Sequence, residues 1–382
     1  MRKRLFVCGI KPFSTLGVHQ KLAPLKQLLL PVTLLFSLGV TAQDVNDLKL
    51  KDYRPVSIYK TPQANIAKAK YPAYDMHTHD YVDDARGVDE WVKTMDEMNI
   101  AKSMINTYTT GKEFDSIVDK YSKHKDRFII FCGFDYTGAD QPGWSDKAIK
   151  ELERCVKAGA RGVGELGDKG LGELYSKPTP GRGIHIDDPR MKPLIKRCGE
   201  LKIPINIHVS EDEWMYLPAD STNDGLMNSA KWKVDMSVPG KLNHDELIQT
   251  LENAVRENPG TTFIASHLAN TCSDLSQLAK LFDKYPNLYA DVSARYGEIA
   301  PIPRYVHAFM EKYADRIVYG TDMSPHKPMY LTTFRILESA DEHFYEHDLF
   351  GYHWPLYGLH LTDATLKKIY NSNAVKILSQ KR

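Results

Sequence analysis

The chain has few cysteines for its length, five in 382 residues, and no two of them stand in a Cys-x-x-Cys spacing. That excludes a zinc knuckle and a disulfide-stapled scaffold. Cys132, Cys155, Cys198 and Cys272 read as packing residues, and Cys8 lies near the start of the chain. No Gly-x-Gly-x-x-Gly turn follows the first strand-like segment, so the dinucleotide-binding open sheet, the second-best architecture, loses its main support. Internal repeats and low-complexity tracts are also missing, which argues against solenoids and disordered linkers. Nor is there an excess of positive charge: 50 basic residues face 49 acidic ones. Six of the basic residues, Arg2, Lys3, Arg4, Lys11, Lys21 and Lys26, precede the first acidic residue, Asp44.

Those six lead into an apolar run over 28–40 that ends at Val40-Thr41-Ala42. This is the form of a secretory signal, with cleavage expected after Ala42. The run is short for a stable membrane anchor, and no cysteine follows it, which argues against a lipoprotein. The competing readings are an uncleaved anchor and a misread start, since the leader is long enough for the true start to lie downstream of Met1. Losing the leader leaves 44 basic against 49 acidic residues, a mildly acidic mature protein unsuited to a nucleic-acid partner. The expected product is exported, periplasmic or secreted. It carries an extension over 43–72, punctuated by Pro55, Pro62 and Pro72, and a single large domain over 73–382.

Within that domain, strand-like and helix-like stretches alternate. Strands are predicted at 73–79, 103–109, 127–136, 159–167, 203–209, 261–268, 288–294 and 317–323. Helical patterns include 88–98, 144–158, 189–201, 245–257 and 273–284. Eight such alternations predict a (β/α)8 TIM barrel. Asp188-Pro189 is expected to open one helix and Asn243 or His244 another, while Asn258-Pro259-Gly260 and Tyr285-Pro286-Asn287 close two more. The connections after strands four and five, 168–187 and 210–243, are longer than a barrel requires. They follow strand C-termini, the active face of this architecture, so they are candidate walls and lid. Decorative insertion or an oligomer contact is the plainer account of them.

The chemistry-bearing residues cluster at those same strand ends. His77 and His79 in Tyr74-Asp75-Met76-His77-Thr78-His79-Asp80 project from one face of a strand, because side chains alternate with period two. Glu165, His208, His267 and Asp322 stand near the ends of the fourth, fifth, sixth and eighth strands. Any one of them alone is more readily a satisfied buried polar group. Four imidazoles and two carboxylates converging on one barrel mouth would repel or stay unsatisfied without a cation, and a divalent metal answers both problems. Such an ion would acidify a bound water or polarise a carbonyl, with Asp322 taking the water's proton and His267 steadying the developing charge.

The ordered motifs Asp75-Met76-His77-Thr78-His79, Ile205-Asn206-Ile207-His208, Phe263-Ile264-Ala265-Ser266-His267 and Tyr319-Gly320-Thr321-Asp322 resemble those of the amidohydrolase superfamily. The likeness is to its amidohydrolase-related branch, which includes aminocarboxymuconate semialdehyde decarboxylase. Tyr285-Pro286-Asn287-Leu288-Tyr289 and Ile369-Tyr370-Asn371-Ser372-Asn373-Ala374 extend it, so that it runs over roughly 73–378. The resemblance implies a metal held by His77, His79, His208 and Asp322, with His267 as catalytic or second-metal histidine. Glu165 looks like the bridging glutamate of the two-metal, TatD-like enzymes, whereas in the decarboxylase-like branch that position is not a ligand. One Zn2+ is expected, with room for a second, weaker site at Glu165 and His267. Mn2+ or another divalent ion remains compatible.

Arg295, Tyr108 and Trp214 are the candidate substrate contacts: Arg295 as a carboxylate or phosphate clamp, the rings for stacking. A salt bridge from Arg295 to Asp291 or Glu298 is an equal alternative, and rings so placed are more often just wall. The first functional expectation is hydrolysis of an ester, lactone or amide of a small molecule. The second is non-oxidative decarboxylation of an aromatic or unsaturated acid on the same ligands. A non-catalytic binding protein on a decayed barrel would have lost ligands, and none is lost; a TatD-like nuclease fits poorly with acidic charge and export. A homodimer is compatible with the architecture.

Overall fold

The computed structural model describes residues 44–379 apart from Ser324, so the leader and its cleavage site lie outside the described residues. Of the described residues, those over 44–48 fall in a unit of their own, with one 3-10 turn over Val45–Asp47 that Asp44 caps by accepting from the Asn46 amide. Everything that follows belongs to the unit beginning at Lys49. No helix among the described residues is long and apolar enough to cross a membrane.

Eight parallel strands form the frame: β1 Ala73–His79, β2 Ile100–Asn106, β3 Phe128–Phe131, β4 Val163–Asp168, β5 Ile205–Val209, β6 Phe263–Ala265, β7 Leu288–Asp291 and β8 Ile317–Val318. Regular pairing runs β1-β2-β3 and β4-β5-β6-β7-β8. Backbone bonds join the two arcs at both seams. At one, the Cys132 amide donates to Gly162 O (3.0 Å) and the Gly164 amide to Cys132 O (2.8 Å). At the other, the Met76 amide donates to Tyr319 O and the Asp322 amide to His77 O, both at 2.8 Å. The ring of eight parallel strands with helices outside is the (β/α)8 barrel that the alternation predicts. A Gly-x-Gly-x-x-Gly spacing does occur, at Gly162, Gly164 and Gly167, but it lies within β4 and its approach and not in a strand-to-helix turn.

The helices form where the sequence supplies both a stripe and an end. In α1, Ala85–Met98, the buried Val88, Trp91, Met95 and Met98 recur at helical spacing. Asp84 caps its start by accepting from the Gly87 amide, and Asn99 closes it at φ 60°. Asn243 opens α6, His244–Glu257, through a reciprocal capping box with Glu246. The expected start at Asp188-Pro189 is not used: α4 is Lys192–Glu200, with Pro193 in its first turn, because Asp188 instead accepts from the Arg190 amide in the turn before it. Asn258 and Tyr285 do close their helices. The four described cysteines are buried and unpaired, as packing residues should be.

A second apolar cluster draws Met76, Met104, Ile129, Phe131, Ile264, Tyr289 and Val318 from six of the strands, with Ala374 and Ile377 of the terminal helix α12, Asn373–Leu378, against it. Met76 joins this cluster although it adjoins His77, because β1 breaks register with β2 between Asp75 and Thr78. The strands are therefore held rigidly just below the residues that carry chemistry. Gly320 illustrates the tightness: a Cβ there would stand 2.8 Å from the His77 Cβ. Gly320→Ala should cost about 1–3 kcal/mol of stability through overpacking, read as a lowered urea midpoint; an unchanged midpoint would contradict the close packing of β8 on β1.

Candidate metal centre

Seven polar side chains meet at the C-terminal mouth of the strands, two of them carried by β1 and the others by or just after β4, β5, β6, β7 and β8. β1 delivers His77 and His79, β4 Glu165 and β5 His208, while β7 ends on Asp291. His267 lies two residues past the end of β6 and takes φ 60°; Asp322 lies four past the end of β8 and takes φ 55°. Positive φ at non-glycine residues is uncommon and turns both side chains out of strand geometry.

Glu165 occupies the centre. Its Oε1 lies 3.1 Å from His208 Nδ1, 3.5 Å from His267 Nε2 and 3.6 Å from His77 Nε2, and its Oε2 lies 3.5 Å from His79 Nε2. Asp322 Oδ1 stands 3.1 Å from His79 Nε2 and 3.7 Å from His77 Nε2, and its Oδ2 lies 3.7 Å from His267 Nε2. Outer groups fix the rings. Asp291 Oδ2 lies 2.9 Å from His77 Nδ1, the Asn106 carbonyl 3.0 Å from His79 Nδ1, and Ser293 Oγ 2.9 Å from His267 Nδ1. Such partners fix tautomer and orientation for ligation through Nε2.

The residues fit a divalent cation. His77 Nε2 is fully buried without a hydrogen-bond partner, which is costly for a ring nitrogen unless something else takes its lone pair. His77, Glu165 and His267 bring their ligand atoms within 4.8 Å of one another, as do His77, His79 and Asp322. Mixed imidazole and carboxylate donors suit zinc, manganese and similar ions. His208 belongs to neither triad: its Nε2 lies 2.9 Å from the Ser210 carbonyl, a contact that ligation through that nitrogen would displace.

Charge in the cluster is balanced by protons on the rings. Burial alone would depress the His77 pKa, yet Asp291, Glu165 and Asp322 around it raise it to about 10. His208 is likewise depressed by burial and raised by Glu211 and Glu165, to about 9. Burial would raise the carboxylates, but His77 brings Asp291 down to about 2 and also lowers Glu165 and Asp322. Burial keeps His267 low.

A cavity of about 600 Å3 opens onto Glu165, His208, His267 and Asp322. The long connection after β4 contributes Lys169 and Tyr175 to its wall, and the one after β5 contributes Glu211, Trp214 and Trp232. Arg295 lines the cavity but is engaged from behind, with Asp212 at 3.0 Å, Glu298 at 3.6 Å, Glu211 at 3.7 Å and the Asn270 side chain 3.0 Å from its Nε. Of the two salt-bridge partners considered for it, Glu298 is used and Asp291 holds His77 instead. Tyr108 stands 6.0 Å from the His79 ring, beside the cluster and not on the cavity wall. Sequence reasoning missed the wall segment Asp348, Leu349, Phe350 and Tyr352, which has no strand-end signature, and it missed Lys169, one residue past β4.

The sequence model of the amidohydrolase family matches residues 74–379. No curated protein matches. Among solved structures, a Staphylococcus aureus protein whose amidohydrolase assignment is itself provisional is 15% identical, covers 81% of this chain and 99% of its own, and superposes with a TM-score of 0.51. A 2,6-dihydroxybenzoate decarboxylase from Rhizobium is 16% identical, over 81% of this chain and 98% of its own, at 0.48. A 5-carboxyvanillate decarboxylase from Novosphingobium aromaticivorans, solved with manganese, is 14% identical, over 83% and 99%, at 0.47.

Two outcomes follow from the charge balance. With His77 and His208 protonated at neutral pH when no metal is bound, metal uptake should release about two protons and tighten as pH rises, measured calorimetrically in buffers of different ionisation enthalpy; uptake without proton release would contradict it. Asp291→Asn should weaken metal affinity about 10–100-fold in competition titrations, because His77 loses the carboxylate that orients it.

Proposed function

The chain belongs to the amidohydrolase family and is an enzyme, and on that premise we propose that it is a divalent-metal-dependent decarboxylase of a small aromatic or unsaturated carboxylic acid. The observation that carries the reading is the composition of the cavity that opens onto the cluster. Lys169, Lys231, Tyr175 and Trp232 line it together with Asp322 and His267, and Lys169 is also paired with Glu211. The Lys169 ammonium stands 5.8 Å from the Trp232 ring and the Lys231 ammonium 5.2 Å from it. A planar anion fits between such groups, its charge against ammonium and its face against an indole.

His77, His79 and Asp322, with Glu165, His208 and His267 beside them, would hold the cation, and its positive charge would supply an anchor for the oxygens of the acid. Zinc is the ion we expect, with manganese compatible. In this reading Lys169 positions the substrate while the bond between the ring or vinyl carbon and its carboxyl group breaks. The electron pair stays on that carbon, carbon dioxide leaves, and Asp322 delivers the proton that replaces it. Asp322, which His77 keeps ionised at rest, takes that proton from solvent entering through the cavity it lines.

Hydrolysis of an ester, lactone or amide is the second reading, and Glu165 favours it. A carboxylate within 3.6 Å of His77, His79, His208 and His267 is the kind of shared donor that a two-ion site needs. There Asp322 would accept the proton of the attacking water. The basic, apolar leader further supports an exported enzyme acting on a small molecule.

The test is a panel of carboxyl-labelled aromatic and unsaturated acids alongside esters, lactones and amides. We expect labelled carbon dioxide from at least one acid, a fall in kcat of about 10²–10⁴-fold in Asp322→Asn, and a raised KM with little change in kcat in Lys169→Met. Acid and alcohol or amine from the second group, without carbon dioxide from the first, would replace decarboxylation with hydrolysis. Turnover of neither group would sink both.

A further inference from the structure

The walls of the metal cavity come from three stretches far apart along the chain: Lys169 and Tyr175 after β4, Glu211 and Trp214 after β5, and the stretch 348–352. All three are tied to one side chain, Arg295, four residues past the end of β7.

Arg295 borders the cavity, yet its side chain is only 8% exposed and its N–H groups already have acceptors. Nε and Nη2 both donate to the Asn270 side-chain oxygen, and Nη1 donates to the Ala294 carbonyl at 3.3 Å. Around it stand three carboxylates, Asp212 at 3.0 Å, Glu298 at 3.6 Å and Glu211 at 3.7 Å. A guanidinium so engaged has little left to offer a substrate. Its planar fork is suited instead to holding several protein groups in fixed directions at once, which a lysine ammonium on a flexible stem does poorly.

Each partner leads to a different part of the wall. Glu211 meets Arg295 through Oε2 and the Lys169 ammonium through Oε1, so one carboxylate links the two cations. The same Oε2 lies 3.6 Å from His208 Nε2, which sets Glu211 beside the metal centre as well. Glu298 meets Arg295 through Oε1, and that oxygen accepts from the Tyr352 hydroxyl. Asn270 accepts from Arg295 and donates to the carbonyls of Val209 and Ser210 at 3.0 and 3.2 Å, tying the positive-φ turn that begins at His267 to the end of β5.

We propose that Arg295 is a positioning residue: without binding substrate itself, it holds Lys169 through Glu211 and Tyr352 through Glu298, and so fixes the cavity walls over the metal centre. Its effect on turnover rests on the proposed function, in which Lys169 positions the acid. Its hold on the walls does not.

The test is hydrogen exchange, read by mass spectrometry, on the full-length, metal-loaded protein and two variants. Arg295→Lys keeps the charge and loses the fork, and exchange over 169–175, 211–216 and 348–352 should quicken about tenfold in all three. Tyr352→Phe cuts one branch, so 348–352 alone should quicken. Bound metal should match the parent in both. With an acid that the enzyme turns over, Arg295→Lys should raise KM about tenfold with kcat little changed. Adding Lys169→Met should then raise KM far less than the same substitution does in the parent, a coupling that a merely structural arginine would not show. Parent-like exchange in the three segments of a folded Arg295→Lys protein, quickening spread evenly over the barrel, or loss of the metal would each overturn the proposal. So would unchanged exchange over 348–352 in Tyr352→Phe, or additive effects on KM. Because exchange is read without substrate, a failure of the proposed reaction, seen as no carbon dioxide from any acid, is distinguishable from a failure of this assignment.

Discussion

The organising constraint is electrostatic: buried imidazoles and carboxylates share one mouth, and their mutual distances of 3.1–3.7 Å need positive charge between them. Without an ion, protons on His77 and His208 supply it, which is why burial fails to keep those rings neutral. The barrel makes the arrangement possible by fixing the donors on or just past the ends of several strands, His77 and His79 together on β1, above a packed apolar floor. A flexible site with the same residues would scatter them into water. Asp291 shows how deep the organisation goes, since one carboxylate orients His77 and also accepts the backbone amides of His267 and Ser293.

The barrel was legible because eight apolar segments alternate with helical stripes, and His77-x-His79 was legible because close spacing on one strand survives even a register break. Strand lengths were less so. The apolar pattern continues past the real ends of β6 and β8, where the backbone turns to positive φ at His267, Leu268, Ala269, Asn270 and Asp322. Residue types that ordinarily avoid that region give no sequence signal for it, so strands of three and two residues read as much longer ones. These turns occur at the residues that carry chemistry, where local preference yields to the site.

Side-chain pairing was the other blind spot. Arg295 reads as a free clamp because nothing in one dimension reveals Asp212, Glu298 and Glu211 closing on it. Lys169, inconspicuous after Asp168, reaches the cavity because Asp168 accepts the Gly170 and Gly172 amides and folds the connection back over the mouth. The segment carrying Asp348 and Tyr352 reaches the cavity only in the folded chain.

Elemental analysis of the protein purified without chelator, set beside the His77→Ala/His79→Ala variant prepared identically, tests the central claim most directly. The account predicts close to stoichiometric zinc, manganese or a related divalent ion in the parent, and its loss in a variant that stays folded. A parent free of transition metal, or a variant that keeps its full complement, would contradict it.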